Sequence, residues 1–136
     1  MPTFSEIRGD HTLVLPVAGQ ATAGTPDEFV GAIVPFNAKV TAVKWIPKAA
    51  VTANGTNYFT LTLRNRKADA SGTALPAQRS YAATNSTALV PEAMTLDGTE
   101  ANLLVTAGDV LTVEKLVTAS GLAMPAGTVQ VSLRVR

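Results

Sequence analysis

From Thr128 to Arg136 the chain alternates without a break. Val129, Val131, Leu133 and Val135 fall on one side, and Thr128, Gln130, Ser132, Arg134 and Arg136 on the other. Successive side chains of a strand point to opposite faces, so this pattern specifies a half-buried β-strand with one dry and one wet face. A C-terminal segment of this kind is committed to the core. It also sets the class of fold, because nothing elsewhere competes with it: no long stretch carries the 3.6-residue period of an amphipathic helix.

Other short stretches show the same alternation, with Gly, Pro, Asn and Asp between them. The clearest is Tyr58–Asn65, where Phe59, Leu61 and Leu63 point one way and Tyr58, Thr60, Thr62 and Arg64 the other. It follows Asn54-Gly55, a pair that tolerates positive φ and marks a turn. Further strands are predicted at Thr12–Val17, Glu28–Val34, Lys39–Ile46, Ser80–Thr84, Glu92–Leu96, Leu103–Thr106 and Val110–Val117. In the last of these Leu111 and Val113 face inward and Thr112 and Glu114 outward. Ala18–Asp27, Lys67–Pro76 and Ser120–Gly127 read as loops. About eight short strands with turn chemistry between them predict an all-β, antiparallel β-sandwich of jelly-roll-like type, with an immunoglobulin-like sandwich as the competing arrangement. The 136 residues fit a single domain at 11–136, preceded by a mixed, polar arm at residues 1–10.

The chemistry on offer is sparse. The net charge is +1 and charged residues make up 15% of the chain, against about a quarter in an average protein. There is no basic excess of the kind a dedicated nucleic-acid binder carries, so no nucleic-acid partner is expected. Without cysteine there is neither a disulfide nor a thiolate nucleophile. His11 is the single histidine and has no second histidine or cysteine with which to share a metal. No metal or other cofactor is expected. The acidic residues are scattered; Asp27-Glu28 adjoin, and Asp97 and Glu100 flank a turn. A glycosidase would need two carboxylates facing one another, and no spacing favours such a pair. There is no Gly-x-Ser-x-Gly elbow and no glycine-rich phosphate loop. The chain is therefore read as not being an enzyme.

Arg64, Arg66 and Lys67 form the densest basic cluster, but Arg64 lies on the wet face of its strand, and Arg66 and Lys67 are expected to solvate the next loop. Arg8-Gly9-Asp10 spells an adhesion tripeptide, and Asn54-Gly55-Thr56 and Asn85-Ser86-Thr87 match the glycosylation sequon. No basic start followed by an apolar core precedes them, so chance is the better explanation of the tripeptide and turns are the better reading of the two sequons. No apolar run approaches the roughly twenty residues of a membrane helix, and no membrane partner is expected. Trp45 is the one aromatic side chain that could serve as a carbohydrate platform, with packing in the sandwich as its expected role.

Four segments in order carry a resemblance: VKWIPKAAVTANGTNYFTLTLRNR (Val43–Arg66), SGTALPA (Ser71–Ala77), TAGDVLTVEKL (Thr106–Leu116) and SGLAMPAGTVQVSLR (Ser120–Arg134). Together they resemble the capsid decoration, or head cement, proteins of tailed bacteriophages. The resemblance implies a β-sandwich or jelly roll on the outside of an assembled virion head. It implies binding to the major capsid protein, bridging of neighbouring capsid subunits, and association with itself as a homotrimer. Such a protein would be made in the host cytoplasm and end on the capsid exterior. The capsid contact would fall to the N-terminal arm, Met1, Pro2, Thr3, Phe4, Ser5, Glu6, Ile7 and Arg8, since the other end of the chain is held in the core. The alternative is a carbohydrate- or receptor-binding sandwich displayed on a virion.

Overall fold

The computed structural model describes residues 9–136. The predicted arm contact, Met1–Arg8, lies outside the described residues. Ten strands follow: β1 (Asp10–Val17), β2 (Asp27–Ile33), β3 (Ala38–Pro47), β4 (Tyr58–Asn65), β5 (Ala74–Ser80), β6 (Glu92–Ala93), β7 (Thr95–Leu96), β8 (Leu104–Val105), β9 (Val110–Thr118) and β10 (Gly127–Val135). A single 3-10 turn, Glu100–Leu103, precedes β8.

Two antiparallel sheets face each other. One has the order β1-β10-β3-β6, with β8 also on β3; the other runs β2-β9-β4-β5-β7. The pairing is nested: β1 lies on β10, β2 on β9, β3 on β6 and β4 on β5. With the two-residue strands β7 and β8 set aside, each strand of the first half meets its counterpart counted back from the other end. A long hairpin rolled onto itself gives this order, and it is the jelly roll among the sandwich arrangements.

The core is made of the inward residues of both sheets. Leu15, Val43, Trp45, Val129, Val131 and Leu133 face Phe59, Leu61, Leu63, Leu111 and Val113. The alternation expected at Thr128–Arg136 and at Phe59, Leu61 and Leu63 is therefore realised. Trp45 is fully buried and donates its indole N–H to the Tyr81 hydroxyl at 2.9 Å. Its packing role holds, and it offers no platform to a sugar.

Three local expectations need correction. Residues 74–76 fall in a predicted loop but open β5, and Ser80–Thr84 is not a strand. The register shifts between Leu63 and Asn65, so Pro76 sits at an irregularity where no ladder N–H is required of it. After Ser80 the chain turns, because Tyr81 is drawn into the core and the carbonyls of Thr84 and Asn85 are taken by the Arg79 guanidinium rather than by a neighbouring strand. Glu92–Leu96 is not one strand but two. Glu92–Ala93 pairs with β3 and Thr95–Leu96 with β5, while buried Met94 between them donates to Val43 O at 2.9 Å. This segment crosses from one sheet to the other and closes that side of the sandwich. Finally, Thr62 points outward as expected but is buried, between its register neighbours Glu114 and Gln78. Long side chains of a sheet face cover the short one between them.

The strand ends define two poles. Residues 9–10, the β2–β3 and β4–β5 connections, the β8–β9 turn and Arg136 lie at the upper pole. The β1–β2, β3–β4, β5–β6 and β9–β10 connections lie at the lower one, as the registers Asp10↔Arg134 and Val17↔Gly127↔Pro47 require.

Candidate interaction surfaces

At the lower pole the segment 81–91 is held from within by one side chain. Arg79 faces the interior, beside Leu61 in register. Its Nε donates to Glu92 at 2.7 Å, Nη1 to the Ser80 carbonyl, and Nη2 to the Thr84 carbonyl at 2.9 Å and to Ser86 Oγ at 3.3 Å. The guanidinium lies 4.1 Å from the centre of the Tyr81 ring. The Tyr81 hydroxyl bonds Ser86 Oγ at 2.6 Å as well as Trp45. Burial pushes the Tyr81 phenol up from its ordinary value, so it stays neutral. A bridge between Val51 and Ser86, and Asn85 accepting from Ala53 N–H at 2.9 Å, tie the same segment to the β3–β4 connection.

This frame presents Leu89 and Val90 to solvent. Leu89 is 72% exposed and adopts φ 64, in the left-handed region that costs a non-glycine residue about 1–2 kcal/mol. Its N–H donates to Pro47 O at 2.8 Å, which holds it there. An exposed apolar side chain therefore sits on strained, well-anchored backbone.

A second surface lies toward the upper pole, on the outer face of the β2-β9-β4 sheet. Val30 is 79% and Ile33 67% exposed. Val30 borders an open groove of about 650 Å³ that is also walled by Val110, Ala68 and Ala70. Its floor is an ion-pair network. Glu28 and Glu114 face each other in register, and the arginines make that tolerable: Arg66 clasps Glu28 with two hydrogen bonds of 2.6 and 2.7 Å, and Arg64 pairs with Glu114. The Thr112 hydroxyl adds a third bond to Glu28 at 2.6 Å. Arg66 therefore does more than solvate a loop, whereas Lys67, with its ammonium 3.6 Å from Asp109, does belong to the loop region.

The hydrogen bonds from Arg66 are the main cause holding the Glu28 carboxyl at about 2, well below its ordinary 4.5; Thr112 helps and burial opposes. Glu28 has no proton to give near neutral pH. Because the folded value lies below the unfolded one, Glu28 stabilises the fold fully above pH 4.5, and that contribution is lost as pH falls toward 2. Glu28→Gln is expected to cost about 1–2 kcal/mol at neutral pH after discounting for partial exposure, and almost nothing near pH 2. Urea unfolding of both proteins across this range checks the convergence.

The remaining residues singled out in the sequence are dispersed. His11 stands edge-on to Phe36, with ring centres 4.9 Å apart. Asp27 accepts from Glu28 N–H, and Asp97 from Thr99 N–H at 2.6 Å, while Glu100 pairs with Lys39. Asn54 accepts from the N–H groups of Thr56 and Asn57, so that sequon is a turn as read. Sequence reasoning missed Lys115, which is fully buried. Its ammonium donates to the carbonyls of Thr22 and Ala23 at 2.9 and 3.0 Å and pins the β1–β2 connection; burial pulls its pKa down from the ordinary value. The signal was present: period two places Lys115 on the dry face with Leu111 and Val113. Arg79 was missed for a different reason, since its strand was misplaced.

No protein-family model matches the chain, and no curated protein or solved structure matches it.

Proposed function

We propose that this protein is a structural virion component that binds the outside of an assembled phage head and bridges major capsid subunits as a trimer. The ordered resemblance of Val43–Arg134 to head decoration proteins suggests the class. The observation that carries the reading furthest is the Leu89–Val90 contact group on its Arg79-anchored support. A protein that works by being gripped between other subunits needs apolar contacts on a surface that does not yield. In this reading Met1–Arg8 reaches the capsid lattice, and three copies per trimer act together through effective concentration, so that modest single contacts give tight attachment. The synthesis site is the host cytoplasm and the working place the capsid exterior.

Co-sedimentation with expanded heads tests this. Removal of residues 1–8 is expected to abolish binding and leave the sandwich folded. The cut stops before Asp10, because that residue already belongs to β1. Leu89→Asp is expected to weaken binding without loss of fold. Undiminished binding by the truncated protein would refute the arm's role, and binding by neither wild type nor variants would remove the decoration reading.

A further inference from the structure

Three hollows run in line along β5, at the edge of its sheet away from β2. The lowest, about 560 Å³, is lined by Arg79, Glu92 and residues of the segment 84–90. The middle one, about 360 Å³, shares Ser80 and Thr95 with it. The uppermost, about 350 Å³, shares Leu75, Gln78 and Asp97 with the middle one and ends at Thr73 and Asn102. Shared walls make them one trough, which follows roughly 20 Å of strand.

Its charged groups already have partners. Arg79 Nε donates to Glu92 at 2.7 Å, and Asp97 accepts from Thr99 N–H at 2.6 Å and from the Asn102 amide at 3.3 Å. Among the described residues no lysine lines the trough. A phosphate or carboxylate would therefore find no free cation. The groups left without partners are amides, hydroxyls and one carboxylate oxygen. Asn85 uses Oδ1 on Ala53 N–H at 2.9 Å, which leaves its amide nitrogen without a partner among the described residues. Glu92 uses one oxygen on Arg79 and keeps the other. Ser80 Oγ accepts from Ala82 N–H at 3.2 Å and has a proton to give. The side chains of Gln78 and Thr95 make no hydrogen bond among the described residues. Donors and acceptors thus lie mixed along the wall, with Leu75, Leu96 and Val90 as apolar patches among them.

We infer that this trough binds a neutral oligosaccharide in extended form. A sugar hydroxyl both donates and accepts, which matches a wall of mixed amide, hydroxyl and carboxylate groups. The C–H faces of the rings match the apolar patches. Each hollow falls in the size range of small-ligand clefts, about 300–1,000 Å³, and their connection suits a chain of like units rather than a single ring. The support is built in advance. The lower hollow rests on the Arg79 frame, and β5 is held in register by β4, so little ordering is left to be done on binding. Trp45, buried in the core, takes no part. The inference stands on the trough and is independent of the capsid reading.

Titration of the 15N-labelled full chain with linear hexasaccharides of glucose, of galactose and of N-acetylglucosamine tests it. With at least one of these sugars, saturable shifts are expected in the side-chain amide signals of Gln78, Asn85 and Asn102 and in the backbone amides of Ser80 and Thr95. The signals of Val14 and Val30, exposed elsewhere, should stay in place. Asn85→Asp keeps the acceptor for Ala53 and removes the donor, and Thr95→Val removes a hydroxyl at nearly constant volume. Both side chains are exposed, so the urea midpoint should not move. Each variant should nonetheless bind the sugar about two- to tenfold more weakly, the worth of one hydrogen bond. Absence of saturable shifts with all three sugars would overturn the inference. So would unchanged affinity in both variants. Shifts produced by a Ser/Gly hexapeptide in place of the sugars would also overturn it, since an extended polypeptide would then be the occupant. Tighter binding of a polyuronate than of the neutral chains would overturn the assignment to a neutral ligand.

Discussion

Replacing Arg79 by alanine is expected to lower stability by about 3–5 kcal/mol, as when one member of a buried ion pair is removed. The side chain is 10% exposed and its partner Glu92 17%, so little water can take over. The loss would leave the Glu92 carboxylate without its cation and the carbonyls of Ser80 and Thr84 without the guanidinium donors, while Ser86 Oγ keeps the Tyr81 hydroxyl as a partner. The Tyr81 ring would lose the cation above it, a further small term. Arg79→Lys should recover only part, because one ammonium cannot reproduce a planar fork aimed at five acceptors. Urea unfolding reads the stability. Protease nicking within residues 81–91 reads the local effect, and it should rise more than global unfolding alone explains. A drop below about 1 kcal/mol would mean that the segment holds itself without the guanidinium.

Trp45→Ala should cost a comparable amount, about 3–5 kcal/mol, from lost burial and the cavity left behind. Trp45→Phe separates the two contributions. It keeps most of the apolar volume but removes the donor to Tyr81, whose hydroxyl retains Ser86 as a partner. A cost nearer 1–2 kcal/mol is expected, the scale of a single buried hydrogen bond plus imperfect packing. Thermal or urea unfolding distinguishes them. If both substitutions cost the same, the indole N–H rather than the ring volume is the important element.

Legibility in the sequence followed how directly each residue's environment is set by its own neighbours. Val129 to Leu133 and Phe59 to Leu63 could be assigned because period-two patterning depends only on local spacing. The split of Glu92–Leu96 could not, because both halves are extended and only tertiary contact decides which sheet each joins. Strand β5 was displaced for a related reason. Ala74-Leu75-Pro76 reads as a breaker until the irregularity opposite it is known, and Tyr81 leaves the strand because of a hydrogen bond to Trp45, 36 residues away. The contact surfaces were the least legible part. An exposed Leu89 is unremarked in a sequence, and only its backbone angle and its anchoring set it apart. The groove is likewise assembled from β2, β9 and the β4–β5 connection, which no linear motif spans.

The nested strand pairing has a consequence for how the protein is made. Strand β1 leaves the ribosome long before β10, and at about 5–20 residues per second the interval between them is on the order of ten seconds. Through that interval Leu13, Leu15 and Val17 have no sheet to join, and the remaining pairs form from the innermost outward. The growing chain therefore carries an unmatched apolar strand for most of its synthesis. Holdase chaperones on the nascent chain should find it there, and early termination anywhere before Gly127 should yield an aggregating product rather than a smaller folded one.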